Sequence, residues 1–454
     1  MRIEPPDVPA LERGVAVLGS GGGGDTRTAA LLLRRRLVAG AEVVVHALEA
    51  LPPQAYVVPV GVVGATPVFN EKLPGGQEFA AAVAAVERWT GVRAGAVASL
   101  EIGGLNGMLP LAWDLGLPVV DADLTGRGVP RLDQLSLNAC GRPVTPVALA
   151  EPGGQVLVQA TGTAADLERT VRAFLPSAGG WAALALAPVP AYELACCSVV
   201  GSVSAALELG RRLLALGESP APGRLGEAGG RVLALGRVIE VVRRPGPRLH
   251  GRAGFSRGGV TVADHATGAL LRLEMENEYL LALRDGRVVA STPDVLAVLD
   301  RRTVTPISGD AVRAGMEVMV LQVPIAPFWT DPGRIDLVAP RAYGIDCEPV
   351  LLGGRTGRHG TDRPPPRRPR RLHPRRFWRG GDGEHAGRAG RLAPGRPAPP
   401  RGGRGRGGGP GDRGQPDRGS AGRRNSRRDT RRDGRRGGGR PDGRRGGLRD
   451  LAVG

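Results

Sequence analysis

From Gly353 onward this 454-residue chain carries no apolar residues at a helical or strand spacing. Runs such as RGGRGRGGG (401–409) bury too little surface to offset the entropy of ordering them. Any fold must therefore be built by residues 1–352. Charge divides at the same place. The segment from Gly353 holds 30 of the 62 Lys and Arg but only 9 of the 44 Asp and Glu, a net of +21 against −3 for the remainder. The formal +18 is thus a property of the tail, and the mildly acidic body is not a basic nucleic-acid binder. Two readings of 353–454 stand side by side. One is a disordered Arg/Gly-rich arm that holds nucleic acid non-specifically by charge. The other is an out-of-frame translation past the natural end, because a GC-rich frame read wrongly yields Arg, Gly, Pro and Ala. Aromatic residues there are only Phe377 and Trp378, which favours the second.

In the body, apolar runs at 14–18, 42–48, 55–63, 94–100 and 117–120 read as strands. They alternate with helical spacings at 26–40 and 77–90, which argues for an α/β domain over 1–160 with a mostly parallel sheet. After Thr161 the pattern changes. Helices are expected over 163–174, with Thr163 as N-cap, and over 202–216. From Arg231 period-2 alternation dominates, and Asp285-Gly286 is a hairpin signal. Residues 161–352 therefore read as a β-rich domain with a few helices.

Several classes drop out. The most apolar long window, 181–201, is broken by Pro188, Pro190 and Glu193, whereas a membrane span needs about 20 apolar residues. No basic stretch followed by an apolar one opens the chain. Cys140, Cys196, Cys197 and Cys347 form no C-x-x-C and have no His pair near them, as expected for reduced thiols of a cytoplasmic protein. Neither H-E-x-x-H nor a Ser-His-Asp spacing occurs.

Three groups of residues can carry chemistry. Gly19 to Gly24 satisfies G-x-G-x-x-G, with Glu49 downstream at the distance of a ribose contact. The backbone amides of Gly21, Gly22, Gly23 and Gly24 could face a nucleotide or another polar or anionic ligand, with Asp25 capping the next helix; a structural turn fits as well. Glu101 and Asn106, then Asp121, Asp123 and Arg127, each follow a strand and so emerge at one edge of the sheet, where open α/β sheets bind ligands. Carboxylates gathered there can hold different protonation states and divide acid and base roles. Glu276-Asn277-Glu278 interrupts a strand-like run, the mark of a bulge or a site. Asp294, after Thr292-Pro293, reads as a helix N-cap.

Taken in order, five stretches resemble the S-methyl-thiohydantoin desulfurase family, whose members are often labelled hydantoinase-like. They are LGSGGGGDT (18–26), VGATPVFNEKL (63–73), EIGGLNGMLPLAWDLGLPVVDADLTGRGVP (101–130), MENEYLLALRDGRVVASTPDVLAVLD (275–300) and RAYGIDCEPV (341–350). The resemblance ends near residue 352, where the Arg-Gly segment begins. It implies an α/β and a β-rich domain with the glycine loop and acidic stretch facing a cleft. It also implies a hydrolase of a small 2-methylthio-imidazolone ring: water attacks the C=N carbon, thiol is released and a hydantoin is left. Asp123 or Glu101 would act as base, with Asp121 and Arg127 orienting. Gly21 to Gly24, Asp25, Asn106 and Asn277 would bind substrate. The chain departs from the family's G-R-A-F-P-E pattern at Val129 and Arg131, which opens space and reverses a charge at the expected cleft.

Two other classes remain open. The same cleft could serve a non-catalytic ligand-sensing domain, or, on the glycine run alone, an NAD-dependent oxidoreductase. The sheet-edge carboxylates could hold a divalent ion, but no His or Cys set accompanies them, so no cofactor is assigned. The expected partner is a small-molecule substrate, and a homo-oligomer is compatible with a two-domain enzyme.

Overall fold

The structure is a computed structural model that describes residues 1–353 apart from 245–247, 250–251 and 254–256. The expectations for the Arg/Gly-rich segment beyond 353 lie outside the described residues.

Two layers form from the two kinds of patterning. In the first, the strands are β1 (Arg2–Ile3), β2 (Val43–His46), β3 (Tyr56–Gly64), β4 (Ala96–Ser99), β5 (Val119–Val120), β6 (Ala122–Asp123), β7 (Val147–Ala150), β8 (Val156–Gln159), β9 (Trp181–Leu186) and β10 (Val199–Val200). The main helices are α1 (Val8–Leu18), α2 (Arg27–Val38), α3 (Thr66–Glu71), α4 (Glu78–Thr90), α5 (Ala164–Phe174) and α6 (Ser202–Ala215). The sheet runs β1-β2-β5-β4-β3-β9-β7-β8. Its β2-β5-β4-β3 part is parallel, and β9, β7, β8 and β1 join antiparallel, so the α/β sheet is mixed. The run at β3 is almost wholly buried because both faces are covered. Val58, Val60 and Phe79 pack in the cluster on one face. Val57, Leu184 and Leu167 pack in the cluster on the other.

Residues 14–18, expected as a strand, are the end of helix α1. A short apolar run cannot be assigned by periodicity alone, and here Val8, Leu11 and Val15 make a helical stripe that is fully buried. Gly14 and Gly210 let that helix pack closely on another. α1 crosses α6 so closely that a Cβ on Gly210 would lie 1.6 Å from the Ala10 carbonyl oxygen, and one on Gly14 would lie 1.8 Å from that of Ala206. Thr163 does cap α5: its hydroxyl accepts from the Asp166 amide, and Asp166 accepts from the Thr163 amide in return.

Because β9 sits between β3 and β7, and α6 packs on α1, the α/β layer continues past 161. The change of sheet comes at Arg231. The second layer is antiparallel, in the order β15-β14-β13-β12-β11-β17-β16, with β11 Arg231–Arg244, β12 Arg257–Asp264, β13 Leu270–Glu276, β14 Glu278–Arg284, β15 Arg287–Ser291, β16 Val295–Asp300 and β17 Glu317–Val323. Asp285 and Gly286, both at positive φ, form the expected turn between β14 and β15. Asp294 caps no helix. It precedes β16, and its carboxylate accepts from the amides of Ile325 and Leu352 and from Gln322 Nε2.

Candidate active site

The glycine run lies between two helices, α1 and α2, so the strand-loop-helix setting of a dinucleotide loop is absent. Its composition has another cause. The loop threads between the two layers and is hooked to the second: Ser20 Oγ donates to the carbonyls of Tyr279 and Leu296, Tyr279 N donates to Ser20 O, and Gly309 N donates to Gly21 O. A Cβ on Gly22 would lie 2.3 Å from Glu278 Oε1, and one on Gly23 would lie 2.7 Å from Gly104 Cα. At Gly23, where the neighbour is backbone, only hydrogen fits, and at Gly22 a methyl would press on the Glu278 carboxyl. Asp25 is not the cap of α2. It precedes the N-cap Thr26, accepts from the Arg27 amide at 3.0 Å and pairs with the Arg27 guanidinium.

On the far side of this loop β13 and β14 meet in a tight reversal at Asn277, whose φ is +62°. That conformation suits Asn better than most residues. The reversal projects Glu278 against Gly22. Asn277 Nδ2 donates to Glu278 Oε1 at 2.8 Å and to Gly22 O at 3.2 Å, which holds both in place. Glu278 is 2% exposed, and its Oε2 has no hydrogen-bond partner. Burial pushes its carboxyl up to about 8; the Asn277 hydrogen bond and the nearby Arg127 charge offset only part of this.

The first layer supplies a second carboxyl. Glu101 follows β4, and its Oε1 accepts from Val129 N at 2.7 Å. Asn106 locks onto β3 by accepting from Val62 N (2.7 Å) and donating to Val62 O (3.1 Å), and its Nδ2 lies 3.5 Å from Glu101 Oε2. Burial raises the Glu101 carboxyl well above the ordinary range, and the charges of Glu278 and Asp123 push the same way.

Glu101 and Glu278 share one cavity of about 460 Å³. Gly21, Gly22 and Gly23, together with Asn106 and Asn277, also line it. The remaining residues singled out in the sequence are not part of its wall. Gly24 packs against Thr66 and Leu105. Asp121 accepts from the amides of Val203 and Ser204 and from the Ser204 hydroxyl, so it caps the first turn of α6 from outside. Asp123 is fully buried. Its Oδ2 accepts from the amides of Ile102, Thr125 and Gly126 and from the Thr125 hydroxyl, while Oδ1 has no partner. This carboxylate ties the turn that carries Glu101 to the turn after β6, and burial raises it. Arg127, 1% exposed, clamps the other layer by donating to the carbonyls of Pro293 and Asp294 and to the Thr292 hydroxyl. Contacts of these kinds position backbone. Glu278 has no role assignable from sequence beyond its place in the polar triplet that interrupts a strand, and the structure brings it to the cavity. Among the described residues no three His, Cys, Asp or Glu side chains gather as a metal site, and no helix is long and apolar enough to cross a membrane.

Comparison with known proteins gives three findings. Residues 6–161 match the family model described as S-Me-THD-like, N-terminal domain, and residues 162–351 match S-Me-THD-like, C-terminal domain. A crystal structure of a protein from Chromobacterium violaceum, 25% identical, superposes with a TM-score of 0.61, covering 74% of this chain and 95% of that one. No curated protein matches the chain.

Proposed function

This chain belongs to the S-Me-THD-like family, and on that premise we propose that it is a hydrolase of a small hydantoin-type heterocycle, adding water at the ring C=N carbon and releasing a thiol. The observation that carries this is the pair of glutamates, one from each layer, facing one cavity with both carboxyls raised. Two carboxyls that each raise the other's proton affinity do not readily ionise together, so one stays protonated while the other is available as a base. Glu278, raised to about 8, keeps its proton near neutral pH and serves as acid. Glu101 accepts from two N–H donors, Val129 N and Asn106 Nδ2, which favour its charged form against burial, so in this reading it is the member of the pair that ionises and takes the proton of the attacking water.

Water oxygen bonds to the ring carbon between nitrogen and sulfur, the C=N π pair moves to nitrogen, and Glu278 protonates that nitrogen. Glu101 holds the proton lost by water. The tetrahedral carbon then re-forms C=O as the C–S bond breaks, the hydroxyl proton passes to the departing sulfur so that a neutral thiol leaves, and the proton held by Glu101 returns to Glu278. Asp123 and Arg127 are positioning residues in this reading: Asp123 holds the turn that carries Glu101 through Ile102 N, and Arg127 Nη2 donates at 3.5 Å to the carbonyl of Tyr279, next to Glu278. The test is free-thiol release from a 2-methylthio-imidazolone by the purified chain. Glu101→Gln and Glu278→Gln are each expected to slow it by about 10²–10⁴-fold. Parental rates in both variants, or ring binding without thiol release, would refute the proposal; the second result is what a ligand-sensing domain gives.

A further inference from the structure

Three of the cysteines that form no motif in the sequence are gathered at one place in the fold. Cys140 follows the short helix Ser136–Ala139, and Cys196 and Cys197 end the helix Ala191–Cys197. Ser136 Oγ donates to Cys197 O at 2.6 Å, which anchors the first helix on the end of the second. Cys140 Sγ lies 3.8 Å from Cys196 O and hydrogen-bonds the Cys197 thiol. Cys197 is 5% exposed and packs in the same core cluster as Leu132 and Leu135. Cys196 is exposed, and Cys347 lies apart, against the cluster of Leu280 and Tyr343. All four are free thiols.

A disulfide needs two sulfurs within reach of one another and an oxidant. The thiol–thiol hydrogen bond gives the reach. Burial, together with that hydrogen bond, raises the Cys140 thiol to about 11, so the pair rests reduced with the Cys140 proton directed at Cys197. The Arg334 guanidinium, held 4.3 Å from the centre of the Phe328 ring, is a charge that favours the thiolate once the proton leaves. A hydroperoxide supplies the oxidation. One sulfur attacks the terminal peroxide oxygen: an S–O bond forms, the O–O bond breaks, and the thiol proton goes to the departing oxygen. The other sulfur then attacks the sulfenic sulfur, so that the S–S bond forms, the S–O bond breaks and water leaves with the second proton. Two thiols give up two electrons and one peroxide takes them.

We propose that Cys140 and Cys197 are a reversible redox pair, closed to a disulfide by a hydroperoxide and reopened by a small thiol. Transient disulfides of this kind act as redox sensors where other thiols stay reduced. Closure fastens the segment leading into Cys140, which carries Leu132 and Leu135 of the cavity wall. The pair needs no particular ligand in that cavity. The test treats the reduced full chain with hydrogen peroxide and maps its peptides by mass spectrometry without reduction. Two of the four thiols should be lost, one linked peptide pair should join Cys140 to Cys197, and dithiothreitol should restore both thiols. Cys196→Ser and Cys347→Ser should form the same link at the parental rate, whereas Cys140→Ser and Cys197→Ser should not form it. In the linked protein the amides of residues 132–140 should exchange with deuterium several-fold more slowly than in the reduced one. A main link through Cys196 or Cys347, links only between chains, sulfinic acid at Cys140 without a link, or survival of all four thiols in peroxide that oxidises glutathione overturns the pair. Equal exchange before and after linkage overturns the fastening of the wall.

Discussion

Replacing Glu278 with Gln should change how the protein's stability depends on pH. The carboxyl sits near 8 in the folded chain against an ordinary value of 4.5, because burial penalises its charged form. A carboxyl raised on folding favours the native state most when protonated. That contribution is complete below pH 4.5 and is lost as pH climbs through about 8. The interval corresponds to a ceiling of about 5 kcal/mol at about 1.4 kcal/mol per pH unit, and relaxation around the charge will return part of it. Gln keeps the shape and can still accept from Asn277 Nδ2, but it has no charge to bury. Urea denaturation of parent and Glu278→Gln should therefore converge near pH 5. By pH 9 the variant should be the more stable by a few kcal/mol. Glu101 titrates in the same direction, so the single variant retains a shallower slope, and adding Glu101→Gln should flatten it further. Parallel profiles for parent and Glu278→Gln across pH 5–9 would refute the buried-acid argument, and with it the acid assigned to the mechanism.

If Glu278 is the acid, kcat/KM for thiol release should fall on the alkaline side with a midpoint near 8 and lose that limb in Glu278→Gln. Gly22→Ala puts a methyl 2.3 Å from Glu278 Oε1, so kcat should drop by about 10²-fold, the scale of a 1 Å misplacement. Unchanged steady-state kinetics would show that the loop does not set the carboxyl. Gly210→Ala forces α6 away from the Ala10 carbonyl and should destabilise the chain by about 1–3 kcal/mol in denaturant titration, far from the cavity. Asp121→Ala removes the acceptor for two first-turn amides of α6, with an expected cost of about 1–2 kcal/mol. Thiol release per folded molecule should stay within about twofold there, and a loss of 10²-fold would return Asp121 to the catalytic set.

Much of the architecture was legible because it is local. The periodicity over 77–90, the cap at Thr163 with Asp166 three residues on, and the Asp285-Gly286 turn each state their structure within one or two turns of chain. The break in patterning at Gly353 and the ordered family stretches are equally linear. What only the tertiary structure decided is whatever depends on approach between distant segments. Residues 14–18 continue a helix whose stripe of Val8, Leu11 and Val15 is local, but its close crossing with α6, where Gly14 meets Ala206 nearly two hundred residues away, lies in no window of sequence. The glycine run reads as a ligand loop in isolation; only the tertiary structure puts Gly21, Gly22 and Gly23 on the cavity wall and brings Glu278 and the Gly104 backbone against it. Asp121, Asp123 and Arg127 look like catalytic candidates at a strand edge. Spacing puts them there, but the direction of each side chain, and so whether it meets a substrate or a backbone amide, is set by which neighbours arrive to satisfy it.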